Sequence, residues 1–201
     1  MLNHLFGLIF NPRQQWQTIG NLPDEGLKKN LPYALVLAIF PAVAWYFGTT
    51  QAGWQIGNGE DSFVRVAEDT ALSLAGAFYV AMVIAVAAIG YFIHWMAHTY
   101  GAKSSPIKGI VIAGFTATPI FVAGIAGIYP IFWFDLILGT AAIAYAVYLL
   151  YLGIPIVMDI PQERGFLFAS AIVAVALVMV TVVMGVTVIF WEFVSEPEFV
   201  R

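Results

Sequence analysis

Long apolar stretches alternate with short polar segments along this chain, and their lengths predict the fold class. A helix rises about 1.5 Å per residue, so a hydrocarbon core of roughly 30 Å takes about 20 apolar residues to cross. Stretches of this length predict five transmembrane helices, at residues 31–50, 70–97, 109–129, 130–153 and 166–191. We therefore expect an all-α, polytopic integral membrane bundle. Its transmembrane domain covers residues 31–191, between an N-terminal segment of residues 1–30 and a short external tail of residues 192–201.

The third and fourth helices share one apolar run, residues 109–153, which is too long for a single crossing. The Tyr129-Pro130 pair divides this run, because proline lacks an amide donor and disfavours a helical predecessor. We expect Pro130 to begin the fourth helix after a very short turn.

The N-terminal segment predicts two short helices. Apolar side chains of the first helix share one face: Leu2, Leu5, Phe6 and Ile9. Asn11-Pro12 is typical of an N-cap followed by proline at the first helical position, and Trp16 and Ile19 then form the apolar side of the second helix. We expect both helices to lie in the cytoplasmic membrane interface; the alternative is a disordered tail.

Composition excludes several classes of protein. The chain is 61% hydrophobic and 10% charged, against about 25% charged in a typical soluble domain. Its net charge of −4 offers no basic surface for nucleic acid. With no cysteine, thiolate metal sites and cysteine nucleophiles are excluded as well. We expect neither nucleic acid nor a cofactor as a ligand.

Basic residues are unevenly distributed between the loops, which predicts the orientation of the chain. Six lie on one side of the five helices: Arg13, Lys28, Lys29, Lys103, Lys108 and Arg164. The other side carries Arg65, Arg201 and most of the acids, including Glu68 and Asp69 in the first turn of the second helix. Because basic loops are retained in the cytoplasm, we expect a cytoplasmic N-terminus and an external C-terminus. The external loop from Gln51 to Asp69 has a turn-rich, irregular composition.

His94 and His98 are four residues apart, which places both imidazoles on one helical face and makes them weak candidates for metal ligands. A catalytic zinc helix would carry a glutamate directly after the first histidine, where this chain has Trp95. The favoured interpretation is a pair of interfacial histidines that anchor a helix end.

Asp135 is the acid inside the long apolar run, and an ionisable residue at membrane depth suggests ion or proton handling. Its position near the predicted start of the fourth helix favours the alternative, a contact with the positive helix terminus or with solvent.

Proline and small residues predict local features of the helices. Pro119 leaves a carbonyl without its amide donor, which Thr116 or Thr118 can satisfy. Small residues four apart permit close helix approach, at Gly109/Ala113, Ala123/Gly127 and Ala142/Ala146. Nucleophile elbows, phosphate-binding glycine loops and triad-like groupings are not found in the sequence, so we expect no catalytic residues.

The order of the motifs is more specific than any one of them. A short helix with Phe10, Pro12 and Trp16 precedes five spans, of which the third contains Gly114-Phe115-Thr116-Ala117-Thr118-Pro119 and the fourth ends in Tyr151-Leu152-Gly153-Ile154-Pro155. This arrangement, with the Tyr129-Pro130 turn, resembles the Yip family of membrane proteins, and most closely its bacterial inner-membrane branch. The resemblance implies the five-span fold, a bacterial inner-membrane location, and motif positions at Pro12, Gly114, Thr118, Pro119, Pro130, Gly153 and Pro155.

We therefore expect a non-enzymatic membrane protein that acts through helix packing, lipid contact or a membrane protein partner. The partners expected are membrane lipids, with a protein partner or a second copy of the chain as further candidates. The alternative function is a small oligomeric channel or transporter for an ion or small solute, with Asp135 as its ion-handling residue.

Overall fold

Helices account for most of the residues that the computed structural model describes, which are residues 2–55, 63–193 and 199–200. In chain order the helices are α1 (Leu2–Phe10), α2 (Pro12–Gly20), α3 (Asp24–Lys29), α4 (Pro32–Leu37), α5 (Ile39–Phe47), α6 (Glu68–Ala97), α7 (Pro106–Thr116), α8 (Thr118–Ala123), α9 (Phe132–Met158) and α10 (Gln162–Phe193). A π-helical turn, Gly48–Ala52, follows α5, and 3-10 turns at His98–Tyr100 and Gly124–Ile128 follow α6 and α8.

Several of these helices have the length and composition of membrane spans. Four qualify as single stretches: Glu25–Ala52, Glu68–Tyr100, Phe132–Met158 and Gln162–Ile189. A bent pair, Pro106–Thr116 and Thr118–Ile128, qualifies jointly and is kinked by 40°. The described residues thus hold four such helices, or five when the bent pair counts as one crossing. The all-α polytopic membrane bundle predicted from the sequence is confirmed.

The helix bounds differ from the sequence prediction at several places, for example at Ala38, which separates α4 from α5 inside the first predicted span, and in the third and fourth spans. The third span was predicted as one helix over residues 109–129, but the chain breaks at Ala117 between α7 and α8. The fourth helix was expected to begin at Pro130, but α9 begins at Phe132, because Ile131 adopts an extended conformation at the N-cap.

Part of the loop predicted to be irregular forms a small antiparallel sheet. Strands β1 (Trp54–Gln55), β2 (Phe63–Val66) and β3 (Phe199–Val200) pair in the order β1-β2-β3, with Trp54 opposite Val64 and Val66 opposite Phe199. Residues 56–62 of the predicted loop lie outside the described residues. The sheet brings the start of α6 and the chain segment after α10 to one end of the bundle, which we call the sheet end.

The opposite end, which we call the basic end, is formed by the α6–α7 and α9–α10 connections. Tyr100, just after α6, stacks on Phe168 in the first turns of α10, with ring centroids 4.8 Å apart. A Cβ on Gly101 would lie 2.8 Å from an Arg164 guanidinium nitrogen. The two basic loops therefore lie side by side, as the predicted topology requires.

Close backbone contact joins α6 to α7. A Cβ on Gly90 would lie 2.7 Å from the Ile110 backbone nitrogen, and a Cβ on Gly109 would overlap the Gly90 carbonyl oxygen. The close approach predicted for Gly109 is confirmed, and its glycine partner on α6 was not anticipated.

Packing is concentrated toward the basic end. The largest fully buried side chains include Leu8, Trp16, Phe115, Leu149, Ile154 and Phe168. By contrast, the sheet-end halves of α9 and α10 expose apolar side chains such as Ile137 and Met184, at 70% and 66% exposure. These halves have the surface of a helix that faces lipid.

Candidate functional site

Phe115, at the end of α7, is the centre of an aromatic cluster drawn from three segments of the chain. The Tyr33 ring lies 4.6 Å from it, the His4 ring 5.3 Å, and Trp16 packs edge-on at 6.3 Å. Tilted and edge-on rings at these distances are the preferred aromatic geometry. The cluster joins α1, α2 and α4 to the point where the third span breaks.

At the break, the carbonyl that Pro119 leaves without an amide donor is hydrogen-bonded by a side chain of the same segment. Pro119 cannot donate to the Phe115 carbonyl, and the Thr118 hydroxyl donates to that carbonyl instead, at 2.7 Å. The Tyr33 hydroxyl in turn donates to Thr118 Oγ1 at 2.9 Å. Both threonines were predicted candidates for this role. Thr118 is confirmed, whereas the buried Thr116 hydroxyl makes no hydrogen bond to the described residues.

Helices α1 and α2 form a hairpin, residues 2–20, that docks onto α9. The Tyr145 hydroxyl on α9 donates to the Leu8 and Ile9 carbonyls at 3.0 and 2.9 Å. These carbonyls belong to the last turn of α1, where no amide within the helix is free to pair with them. One α9 side chain therefore caps α1.

Within the hairpin, the predicted apolar side of α2 is confirmed, because Trp16 and Ile19 are both fully buried. On α1, Leu5 and Ile9 of the predicted face are half-buried, Phe6 is 57% exposed, and Leu8, outside that face, is fully buried. The side chain amide of Gln15 donates to His4 Nδ1 at 2.6 Å, and burial lowers the pKa of that imidazole below its usual 6.5.

Gly153 is the position on α9 against which the hairpin packs. The Trp16 ring lies against it so closely that a Cβ at this position would be 2.6 Å from Trp16 Cε2. Pro155, two residues later in the same motif, packs against Gly165 in the next helix, where a Cβ would be 2.6 Å from the proline Cβ. The Tyr-Leu-Gly-Ile-Pro motif thus supports contacts with both α2 and α10.

A groove of about 320 Å³ opens between α2, the end of α9 and the start of α10. We call it the Arg13 groove. Its lining residues are Arg13, Gln17, Leu152, Pro155, Ile156, Ile160 and Gln162. It combines one cation and two amides with an apolar floor.

Other candidate residues lie apart from this site. His94 Nδ1 is buried and makes no hydrogen bond to the described residues, and His98 lies exposed in the turn after α6. Among the described residues there is no group of three or more His, Asp or Glu side chains able to hold a metal ion.

Asp135 lies in the first turn of α9, as its predicted role at the helix start requires, among exposed apolar neighbours.

The predicted motif positions are only partly brought together. Thr118 contacts Tyr33 of the aromatic cluster, Gly153 contacts Trp16, and Pro119 is buried directly after Thr118 in α8. Gly114 packs against α4, where a Cβ would be 3.1 Å from Ala34 Cβ. Pro130 is at the sheet end of the third span, remote from the hairpin. The contributions of His4 and Tyr33 were missed, because their sequence neighbours give no sign of contacts with residues that lie 82 to 111 positions further along the chain.

A bundle of long apolar helices, with lipid-like exposure on its outer faces, defines the chain as a polytopic integral membrane protein. Residues 6–184 match the family described as the Yip1 domain, and the chain belongs to this family. The chain is 36% identical over 193 residues to the inner membrane protein YohC of Escherichia coli strain K12, across 96% of this chain and 97% of that protein. The YohC protein of E. coli O6:H1 strain CFT073 has the same identity and coverage. No solved structure matches the chain.

Proposed function

We propose that this chain is a non-enzymatic protein of the bacterial inner membrane that acts through contacts of its helices with lipids or with a membrane protein partner. The observation that carries the proposal is the apolar interior. Among the described residues, the polar or charged side chains that are buried as a whole are Thr49 and Thr118, while Thr116 and His94 each bury one polar atom of a half-buried side chain. The Thr49 and Thr118 hydroxyls each donate to a carbonyl of their own segment, Thr49 to Trp45 at 2.9 Å and Thr118 to Phe115.

This interior supports a contact function over transport. A path for an ion or polar solute needs polar groups that replace its hydration shell along the way. The Arg13 groove likewise offers no pairing of a nucleophile with a base among its lining residues, which supports a non-enzymatic role.

A flux assay separates this proposal from the alternative, an oligomeric channel or transporter. Protein reconstituted in liposomes is expected to give proton and cation flux equal to that of protein-free vesicles. Asp135→Asn tests the candidate ion-handling residue, with Glu68→Gln in the first turn of α6 as a matched control. Flux that Asp135→Asn abolishes and Glu68→Gln preserves would overturn the contact function.

We infer further that the basic end faces the cytoplasm. The adjacent basic loops at Gly101 and Arg164 support this orientation, because positively charged loops are retained there. Reporter tags at the two chain ends test it. An N-terminal tag active only in the cytoplasm and a C-terminal tag active only outside are expected; two tags active in the same compartment would contradict the inference.

The partner class is open to a direct test as well. In the sheet-end halves of α9 and α10, exposed apolar faces have open space around them. A Cβ added to Gly139 or Gly185 would meet no atom within 4 Å. We propose lipid as the main neighbour of these faces. A monomeric mass in mild detergent supports it, whereas a stable dimer would assign the faces to a second copy of the chain.

A further inference from the structure

We propose that the Arg13 groove binds the headgroup phosphate of an anionic phospholipid. The groove lies where α2 meets the end of α9 and the first residue of α10, Gln162. This is the basic end of the bundle, at the termini of two membrane spans, Phe132–Met158 and Gln162–Ile189. A lipid headgroup occupies that depth in the bilayer.

The polar part of the groove matches a phosphate. Arg13 carries a planar guanidinium with five donors, which suits bidentate binding of phosphate oxygens. Gln17, one helical turn further along α2, and Gln162 on the opposite wall each add an amide donor. Among the described residues that line the groove, none is acidic, so a bound anion meets no like charge there.

The apolar part of the groove favours a lipid over a free anion. Leu152, Ile156 and Ile160 line the same space as the polar side chains and are only half-buried. These side chains supply a surface for the glycerol and the first acyl carbons of a lipid, which a free phosphate would leave exposed to water. At about 320 Å³, the groove is at the small end of ligand sites, which run from about 300 to 1,000 Å³. It therefore accommodates a headgroup and leaves the acyl chains in the bilayer.

The position of Arg13 agrees with this role. It follows Pro12 in the first turn of α2, where a cation is opposed by the positive end of the helix dipole. No helix-dipole benefit explains a basic residue there. A phosphate in the groove would supply the counter-charge. The inference rests on the proposed contact function, and it names the lipid class and the residues that such contacts would use.

Lipid binding is measured on the purified full-length protein in mild detergent by native mass spectrometry. The probes are phosphatidylglycerol and phosphatidylcholine with matched acyl chains, and inorganic phosphate. The wild type is expected to bind phosphatidylglycerol about tenfold more tightly than phosphatidylcholine. Arg13→Gln is expected to weaken phosphatidylglycerol binding about five- to tenfold, since one cation near a lipid surface contributes about that much. Phosphatidylcholine binding should fall less, because the choline cation of that lipid already balances the charge of its phosphate. Arg13→Lys should retain most of the preference.

Two further variants keep the result interpretable. Lys103→Gln removes one exposed positive charge from the same end of the bundle, outside the groove, and is expected to bind like the wild type. Gln17→Trp fills the groove from an exposed position on α2 while it retains Arg13, and it is expected to reduce binding of phosphatidylglycerol. Circular dichroism and gel filtration establish that each variant is folded.

Three results would overturn the proposal: equal affinity for the two lipids, equal losses in Arg13→Gln and Lys103→Gln, or competition by inorganic phosphate as effective as that by lipid. These results leave the liposome flux comparison untouched, so failure of the lipid site and failure of the contact function are distinguishable.

Discussion

The Thr118 hydroxyl donates to the Phe115 carbonyl at 2.7 Å and so takes the place of the amide that Pro119 lacks. Tyr33 donates to the same hydroxyl, which makes Thr118 the link between the first span and the break in the third. A helix break inside a bilayer is tolerated when its freed carbonyl is satisfied in this way. The fold of the third span therefore depends on side chains as much as on the proline.

The first prediction concerns this link. Thr118→Val keeps the shape of the side chain and removes the hydroxyl, so the Phe115 carbonyl and the Tyr33 hydroxyl lose their partner. We expect the free energy of unfolding in mixed detergent micelles to fall by about 1–2 kcal/mol. Thr140→Val is the matched control, because Thr140 makes an equivalent bond to Leu136, at 2.7 Å, on an exposed face of α9. Equal losses of unfolding free energy in the two variants would show that the Thr118 bond contributes no more to stability than an exposed bond of the same kind.

A second prediction concerns the packing of the hairpin against Gly153. Gly153→Ala places a methyl group against the Trp16 ring, where the space is absent, and should displace α2 from α9 at a cost of about 1–3 kcal/mol. Hydrogen exchange over residues 2–20 is expected to accelerate. Gly139→Ala, on the same helix, meets no atom within 4 Å and should leave that exchange rate unchanged. Unaltered protection in Gly153→Ala would contradict the close packing of Trp16.

The third prediction concerns the contact between α6 and α7. Gly90→Ala should force the two helices apart, since its Cβ would lie 2.7 Å from the Ile110 nitrogen, and should destabilise the bundle by about 1–3 kcal/mol. Gly76→Ala on the same helix has open space around it and should be neutral or stabilise by about 0.5–1 kcal/mol through helix propensity. Thermal unfolding in detergent measures both. A neutral Gly90→Ala would exclude this glycine as the point of closest approach.

The fourth prediction concerns pH. Burial lowers the pKa of His4, so the undocked hairpin binds a proton more readily than the docked one. By linkage, docking is therefore stable above the unperturbed pKa of 6.5, and it weakens as the pH falls through 6.5 toward the lower native pKa. Protonation also removes the lone pair that accepts from Gln15.

Hydrogen exchange of the hairpin at a series of pH values, corrected for the intrinsic exchange rate, tests this dependence. Protection should decrease between pH 7 and the native pKa in the wild type, and the decrease should be absent in His4→Gln. His98→Gln, which removes an exposed histidine from the end of α6, should keep it. A decrease that survives in His4→Gln would assign the titration to another group.

How far the site was predictable depends on the range of each interaction. The Thr118 bond was predicted because it joins residues within one turn, and the burial of Trp16 and Ile19 followed from helical spacing on α2. Gly153 was predicted only as a motif position, and its contact with Trp16 was not predicted. The break at Ala117 was missed as a helix end, since a proline in an apolar run predicts a kink as readily as a break.

The amino-acid sequence by itself determined the membrane class, the all-helical fold and the approximate bounds of the spans, because those depend on segment length and on the cost of unpaired backbone groups in lipid. Only the tertiary structure decided that residues 2–20 form a hairpin docked against the bundle, that Phe115 collects rings from three segments, and that Arg13 shares a groove with Gln162. The physical reason is that hydropathy is a property of each segment alone. Contacts between helices depend on small local fits, such as a glycine under a tryptophan ring, which a single chain does not encode in any nearby pattern.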